Sequence, residues 1–351
     1  MKLAYPKLGC SELRISPVVL GAMSLPTEEG VWKRSERMVL AALDRGITTI
    51  DTAPLYAFGR NETLVGSAIH GRRADVVLLT KVGLRWDDDP VARRGCAPRG
   101  RVHFSEYDAR GQRRTVRRDC RPESVRMEVE ASLRRLGTEI IDLVQVHFRD
   151  VETPVAETIG ALLDLRCAGK LRAIGVSNFS VGEVSMAHAT LGEVGLASHQ
   201  IEYNLVDRDM GGFVAPHAAR LGVGVLAYSP LRRGLLAGRM EKGAGIEGAR
   251  TRGAVSRALI TLKEIAETRG DSPAVVALAW LLQQRSVSAV IAGASSVEQI
   301  LDNAGAMEAV LSDDDAAHVG RAFARCDGVL DLSLAMRGRG LIRRWRRRLL
   351  G

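Results

Sequence analysis

Between residues 18 and 310 the chain repeats one pattern eight times, a short apolar run followed by a segment with helix signals. The runs are Val18–Met23, Thr48–Asp51, Val76–Val82, Ile141–Phe148, Ala173–Ser177, His199–Tyr203, Val223–Tyr228 and Ser288–Ala292. They are rich in Val, Ile and Leu and lack polar alternation, which predicts strands buried on both faces. Helix starts punctuate the intervals: Thr153-Pro154 and Ser272-Pro273 each place a cap before proline. Ser180-Val-Gly-Glu183 and Ser296-Val-Glu-Gln299 read as capping boxes. Val125, Val129, Leu133 and Leu136 make an apolar stripe over 123–136. Eight strands, each followed by a helix, predict an α/β fold of the (β/α)8 TIM-barrel kind. A doubly wound sheet would usually carry G-x-G-x-x-G after its first strand. The first run instead ends Gly21-Ala22-Met23.

Three pieces lie outside the repeat. Residues 1–17 predict an N-terminal β-hairpin, Leu3-Ala-Tyr5 against Leu13-Arg-Ile15, suited to plugging the barrel's N-terminal end. Residues 85–121 form a long loop after strand three with 11 Arg and six acids. Loops of this length are uncommon and often functional. Within it, 101–104 and 114–117 flank Asp108-Ala-Arg-Gly111, which predicts a hairpin over the C-terminal mouth, where barrel active sites lie. The third piece is a basic C-terminal extension. We expect one barrel domain over 1–330 and an Arg-rich tail over 331–351.

Four side chains stand at or just beyond consecutive strand ends: Asp51, Tyr56 five residues later, Lys81 and His147. Singly, each has a bland explanation, since a strand Lys commonly snorkels to water and a strand-end His or Tyr commonly packs. In a barrel the C-terminal ends of strands two, three and four are neighbours, so all four converge. Lys81, held by Asp51, is expected to lower the Tyr56 phenol from its reference value of about 10. His147 is expected to hold a carbonyl oxygen that Tyr56 protonates as a hydride reaches the carbon. No side chain supplies a hydride, so a redox cofactor is required.

Asp51, Tyr56, Lys81 and His147, in this order on these strands, resemble the catalytic tetrad of the aldo-keto reductase superfamily. The resemblance covers roughly residues 1–330 and looks closest to the bacterial branch related to stress-induced reductases and potassium-channel β subunits. Several further motifs are similar. Gly175-Val-Ser-Asn-Phe179 and Gln200 imply a nicotinamide-carboxamide site at Ser177, Asn178 and Gln200. Tyr228-Ser229-Pro230-Leu231 implies a ring stacked on nicotinamide and a loop on the pyrophosphate. Gly293, Ser295, Ser296, Gln299 and Asn303, at the head of a helix, imply the adenosine end of the cofactor. The strand-one end, Gly21, Ala22 and Met23, belongs to the same implied cofactor set. The resemblance implies NADP(H), with NAD(H) left open. Many relatives carry Lys where this chain has Gly293 and Arg where it has Gln299, and Arg232 and Arg233 are candidates to replace that charge. Trp32, Trp86 and Arg149 are the expected substrate-pocket residues.

The expected activity is reduction of an aldehyde or ketone to an alcohol, or the reverse, on a small-molecule substrate. Two alternatives stand beside it: a biosynthetic ketoreductase for a phosphorylated or nucleotide-linked sugar, and a slow, cofactor-sensing regulatory subunit. The net charge is +9, and seven Arg with no acid in 337–351 account for most of it. A solvated tail explains this better than nucleic-acid or membrane binding. Aromatic residues make up only 4%, little material for stacking on bases. The longest apolar run, Pro273–Leu282, is half of what a bilayer span of about 20 residues needs. Lys7 and Pro6 stand where an export signal would be apolar. The five scattered cysteines lack disulfide or zinc spacing. His103, His188, His199, His217 and His318 lack metal-ligand spacing, so no metal is expected. Trp280, in an apolar helix, is expected in the core. Together these features predict a cytoplasmic protein.

Overall fold

The computed structural model describes residues 5–89, 92, 95–108, 111–238 and 249–324. Eight parallel strands close into a barrel: β1 (Val18–Gly21), β2 (Thr49–Asp51), β3 (Val77–Val82), β7 (Ile141–Val146), β8 (Leu171–Ser177), β9 (Ser198–Glu202), β10 (Gly224–Tyr228) and β11 (Val287–Gly293). Each pairs with the next, and β11 returns to β1 through Val18↔Val290 to Gly21↔Gly293. The intervening β4 (Leu84–Trp86), β5 (Val102–Tyr107) and β6 (Arg113–Arg118) form a separate antiparallel sheet in the order β4-β6-β5. All eight expected barrel strands are present.

Ten helices occur among the described residues. They are α1 (Trp32–Asp44), α2 (Arg60–Ile69), α3 (Pro122–Leu136), α4 (Val155–Cys167), α5 (Val181–Leu191), α6 (Asp209–Arg220), α7 (Ala249–Arg269), α8 (Pro273–Leu282), α9 (Val297–Gly305) and α10 (Asp313–Ala324). The stripe predicted on α3 is buried at all four positions. Ser180 and Glu183 form the reciprocal capping box of α5, and Ser272 caps α8. Two cap readings need correction. Pro154 itself is the N-cap of α4, because Thr153 Oγ1 donates to Asp150 Oδ2 at 2.7 Å. Ser296 caps α9, but Gln299 Oε1 accepts from Ser295 N instead of closing the box. Trp280 is buried, its indole N–H donating to Ala316 O at 3.1 Å.

Side chains alternate in and out along a strand, and here the inward set changes character from bottom to top. At the N-terminal end Val19, Leu79, Leu143, Ala173, Leu226 and Ala289 form one apolar cluster with Leu8, Leu13 and Ile15. The N-terminal segment, bridged at Lys7↔Arg14, therefore seals this end as expected. Leu3 and Ala4 of that hairpin lie outside the described residues. Two residues further along, Leu79 gives way to Lys81, Leu143 to Gln145, Thr49 to Asp51 and Leu226 to Tyr228. The apolar plug thus supports a polar upper layer. Gly175 of β8 faces the same layer, and a Cβ there would fall 2.2 Å from Ser198 Oγ and 3.0 Å from Gln145 Cγ. The missing side chain is the space those two polar groups occupy.

The loop 85–121 holds the predicted hairpin, with β4 as an unforeseen third strand through Leu84↔Arg118 and Trp86↔Val116. Leu84, Trp86 and Val116 make a small core with Leu55, Phe58, Phe104 and Phe148, apart from the barrel's own. The base of this sheet is ionic. Arg85 is fully buried and donates from Nη2 to Asp89 Oδ1 at 2.8 Å, from Nη1 to Ser124 Oγ at 2.7 Å and from Nη2 to Cys96 O at 2.7 Å. Beside it, burial pushes the Glu128 carboxyl up to about 8, although Arg85 and the Gly83 N–H favour its ionised form. Cys10 and Cys167 are exposed free thiols and Cys96 and Cys120 buried ones. The basic tail and Cys326 lie outside the described residues. So does the one G-x-G-x-x-G string, Gly243-Ala-Gly-Ile-Glu-Gly248, which falls far past the first strand. No helix among the described residues is long and apolar enough to cross a membrane.

Candidate active site

Asp51, Lys81 and Gln145 point into the upper barrel from β2, β3 and β7, whose ends are adjacent in the sheet order. Lys81 Nζ donates to Asp51 Oδ2 at 2.6 Å, to Thr52 O at 3.0 Å and to Tyr56 OH at 3.1 Å. The ammonium is wholly buried, so each of its three hydrogens has an acceptor within the fold. Tyr56 opens the turn Tyr56–Gly59, in which Ala57 and Phe58 take positive φ. That tight left-handed turn folds the phenol back over the barrel. The His147 ring meets the Tyr56 ring edge-on at a centroid distance of 6.0 Å. The four residues expected to converge therefore do so.

Their electrostatics differ from expectation in one respect. Tyr56 sits above its ordinary value, because burial outweighs the pull of Lys81 and Asp51 adds to the rise. The expected lowering of the phenol is therefore reversed: Lys81 opposes the shift without winning. Burial also works against the Lys81 ammonium, but the Asp51 carboxylate and the Tyr56 oxygen more than offset it and hold the value up. Burial, then the Lys81 charge, keep His147 far below the ordinary imidazole range, so it is neutral at pH 7. The site thus presents a protonated phenol, a fixed cation and a neutral imidazole.

A second group lies beside it. Ser177 and Asn178 follow β8, and Ser177 pairs in register with Gln200. Asn178 takes φ +58° and is held from three sides: its Nδ2 donates to His147 O at 3.1 Å and Ser177 Oγ at 3.0 Å, and its Oδ1 accepts from Tyr228 OH at 2.9 Å. Gln200 Nε2 donates to Asp51 Oδ1 at 2.9 Å, which joins this group to the first. Ser229, Arg232 and Arg233 also take positive φ. With Ala57, Phe58 and Asn178 these are all the non-glycine residues with positive φ among those described, and every one stands in a loop following β2, β8 or β10. Backbone of this kind persists where surrounding contacts over-determine it, and it clusters at functional sites.

The remaining expected residues fall as follows. Gly21 and Gly293 are register partners at the rim, Ala22 is buried and Met23 is 71% exposed. Asn303 Nδ2 donates to Gly293 O, and Ser295, Ser296 and Gln299 surround the start of α9. Pro230 and Leu231 lie in the loop after β10, which Asn204 ties down by donating to Ser229 O at 3.2 Å. Arg232 is buried, with Nη1 ion-paired to Asp207 and Nη2 without a hydrogen-bond partner, while Arg233 is exposed. Trp32 heads α1, donates to Glu36 Oε1 and packs on the outer core. Trp86 is buried edge-on against Phe58. Arg149 pairs with Glu183 at 2.6 Å.

Sequence reasoning missed Gln145 and Ser198, whose side chains meet at 3.3 Å beneath Asp51. Counting back two residues from His147 and from Gln200 would have found both. It also missed Arg34 of α1, whose Nη2 donates to Ser295 O at 3.3 Å, and His103 and Arg118 beside Phe148. No group of His, Cys, Asp and Glu able to hold a metal occurs among the described residues.

The donor set fits a nicotinamide nucleotide. Two amides and a hydroxyl converge beside the half-buried Tyr228 ring, complementary to a planar carboxamide, and the N-terminus of α9 offers N–H groups to phosphate. Comparisons with known proteins place the chain in a family. The profile described as "Aldo/keto reductase family" matches residues 17–322. The chain is 33% identical over 327 residues to the NADH-specific methylglyoxal reductase of Escherichia coli (strain K12), covering 88% of this chain and 95% of that protein. It is 36% identical over 282 residues to an aldo-keto reductase of Bacillus subtilis (strain 168), covering 76% and 77%. Among solved structures, the glycerol dehydrogenase of Gluconobacter oxydans superposes with a TM-score of 0.77 at 32% identity, covering 92% of this chain and 95% of that one.

Proposed function

Because the chain belongs to the aldo/keto reductase family, we propose that it is an NAD(P)H-dependent reductase of small aldehydes or ketones, with Tyr56 as the proton donor. The observation that carries this reading is Lys81 Nζ, which at once touches the Asp51 carboxylate and the Tyr56 oxygen. The cofactor, when bound, supplies the hydride. The chain's own residues do the rest. Neutral His147 donates one hydrogen bond to the carbonyl oxygen and turns it toward the phenol. Tyr56 then gives its proton to the developing alkoxide, and the Lys81 ammonium steadies the phenolate left behind. Asp51, accepting from Lys81 and Gln200, keeps that ammonium in place.

The sign of the Tyr56 shift sets the pH behaviour. Reduction needs the protonated phenol, which persists past the ordinary value of about 10. Reductive kcat is therefore expected to stay level from pH 6 to 9, to the extent that proton donation limits it. Oxidation of the alcohol needs the phenolate and should rise steadily over the same range. Steady-state rates in both directions test this, and a reductive rate that falls between pH 6 and 9 counts against Tyr56 as the acid.

For the cofactor we infer Ser177, Asn178, Gln200, Tyr228, the 229–231 loop and the start of α9 as the binding residues, with NADP(H) preferred. Position 293 cannot carry the cation for the 2′-phosphate, since a Cβ there would fall 2.6 Å from Ser24 Oγ. Arg34, beside Ser295, takes that part. Fluorescence titration should show NADPH binding more tightly than NADH, and Arg34→Ala should erase the difference. Equal losses for both nucleotides would contradict the assignment.

A further inference from the structure

Tyr56 opens a stretch of backbone that its own residues do not favour. Ala57 and Phe58 take φ of 48° and 51°, and Gly59 follows at 91°. Two consecutive side chains in the left-handed region need outside contacts to keep them there. The two ends of the stretch are fixed to the barrel. Before it, Thr52 N donates to Leu79 O at 2.9 Å and Thr52 O accepts from Lys81 Nζ at 3.0 Å. After it, Asn61 of α2 is buried, donates from Nδ2 to Ala22 O at 2.7 Å and accepts from Thr52 Oγ1 at 2.7 Å. The middle is held by the insertion. Phe58 meets Trp86 of β4 edge-on, with 5.5 Å between ring centroids, and Leu55 joins it on the small core of Leu84, Trp86 and Val116. Tyr56 therefore lies between two side chains that pack on that core. Phe148, which follows His147 and stacks on it at 5.4 Å, packs there too.

We propose that Trp86 is a positioning residue for the proton transfer: through Phe58 it keeps the 56–59 turn left-handed and so keeps the Tyr56 oxygen on Lys81. The inference rests on the reading of Tyr56 as the proton donor and gives the insertion its part in that step. Ala57 and Phe58 would each be relieved by reverting to negative φ, where L-residues are unstrained. With the ends of the stretch fixed, such a reversal is taken up by the neighbouring residues, Tyr56 among them. The contact at risk is short: Lys81 Nζ reaches the Tyr56 oxygen at 3.1 Å, and a few tenths of an ångström more would end it as a hydrogen bond. Ala57 is exposed, so its side chain does little to hold the turn, and the grip falls to Phe58. An edge-on ring pair has a preferred geometry that an aliphatic side chain does not impose. Asp51 and Lys81 stand on barrel strands and do not depend on this contact.

The test measures kcat, KM and cofactor affinity of the full chain with a small and a bulky aldehyde, propanal and benzaldehyde. Trp86→Leu is expected to lower kcat by about 10- to 100-fold for both, the cost of misplacing a reacting group by about 1 Å. KM for each aldehyde and the Kd for NADPH or NADH should stay at wild-type values. Trp86→Phe, which returns a ring to the contact, should recover most of kcat. Phe58→Leu should reproduce the loss from the turn's side, and the double variant should be no slower than the slower single, because both act through one contact. Ala57→Gly should restore part of kcat to the Trp86→Leu chain, since glycine takes positive φ readily. Where Trp86→Leu does not fold, Phe58→Leu with and without Ala57→Gly decides by the same criteria. Wild-type kcat in these variants overturns the proposal. So does a raised KM for benzaldehyde with kcat retained, which would make Trp86 a wall of the substrate pocket, and so does a loss of kcat that Ala57→Gly leaves unchanged. Tyr56→Phe separates the failures. A slow Tyr56→Phe beside an unimpaired Trp86→Leu overturns this inference alone, whereas wild-type kcat in Tyr56→Phe overturns the proton-donor reading and this inference with it.

Discussion

Tyr56→Phe is expected to lower kcat for aldehyde reduction by on the order of 10²- to 10⁴-fold, the usual contribution of a positioned general acid. Its cofactor affinity should remain that of the wild type. The separation follows from the geometry. The hydroxyl removed makes one contact, with Lys81, and Lys81 keeps Asp51 Oδ2 and Thr52 O as acceptors. The ring keeps its edge-on packing with His147. Nothing in the Ser177, Asn178 and Tyr228 group touches the lost oxygen. Rapid-mixing turnover beside a fluorescence titration reads the two quantities separately. A variant with wild-type kcat would move the proton donor elsewhere, with His147 the nearest candidate. A variant that no longer binds cofactor would mean that the turn 56–59 had collapsed.

The largest effect on stability is expected at Arg85→Met. The guanidinium is completely enclosed and serves Asp89, Ser124, Cys96 O and, at 3.8 Å, Asp119. Methionine fills much of the volume but leaves the acids without their shared cation. Removing one partner from a buried ionic cluster typically costs about 3–5 kcal/mol. Glu128, already raised to about 8 by burial, loses one of the charges that favour its ionised form and should rise further. Equilibrium urea unfolding measures the loss, and a change below about 1 kcal/mol would show that the cluster is neutral in net effect, as some buried ion pairs are.

Much of this molecule can be read along the chain because a barrel strand is short, apolar and local in its signal. All eight strands announce themselves, and the tetrad follows from strand ends that a closed barrel must bring together. What could not be read depends on groups distant in sequence. The Tyr56 phenol moves upward because of its burial in the folded site, a property that no spacing reveals. Arg232 meets Asp207 because two loops converge in space. Arg34 reaches Ser295 across the β1–β11 seam for the same reason. β4 escaped notice because three residues at the end of a longer apolar run carry no boundary of their own. Thr153 does not cap α4 because its hydroxyl has a better acceptor three residues behind it.

The sheet β4-β6-β5 has its own small core and its own ionic base, and it meets the barrel mainly through Leu55, Phe58 and Phe148. The extra sheet and the barrel are therefore separately stabilised parts of one chain. Mutations in the hairpin can drift without unravelling the barrel that carries Asp51 and Lys81. A descendant of this protein could exchange this insert of about forty residues and keep the barrel beneath it, on the scale of loop-driven diversification that barrel folds allow.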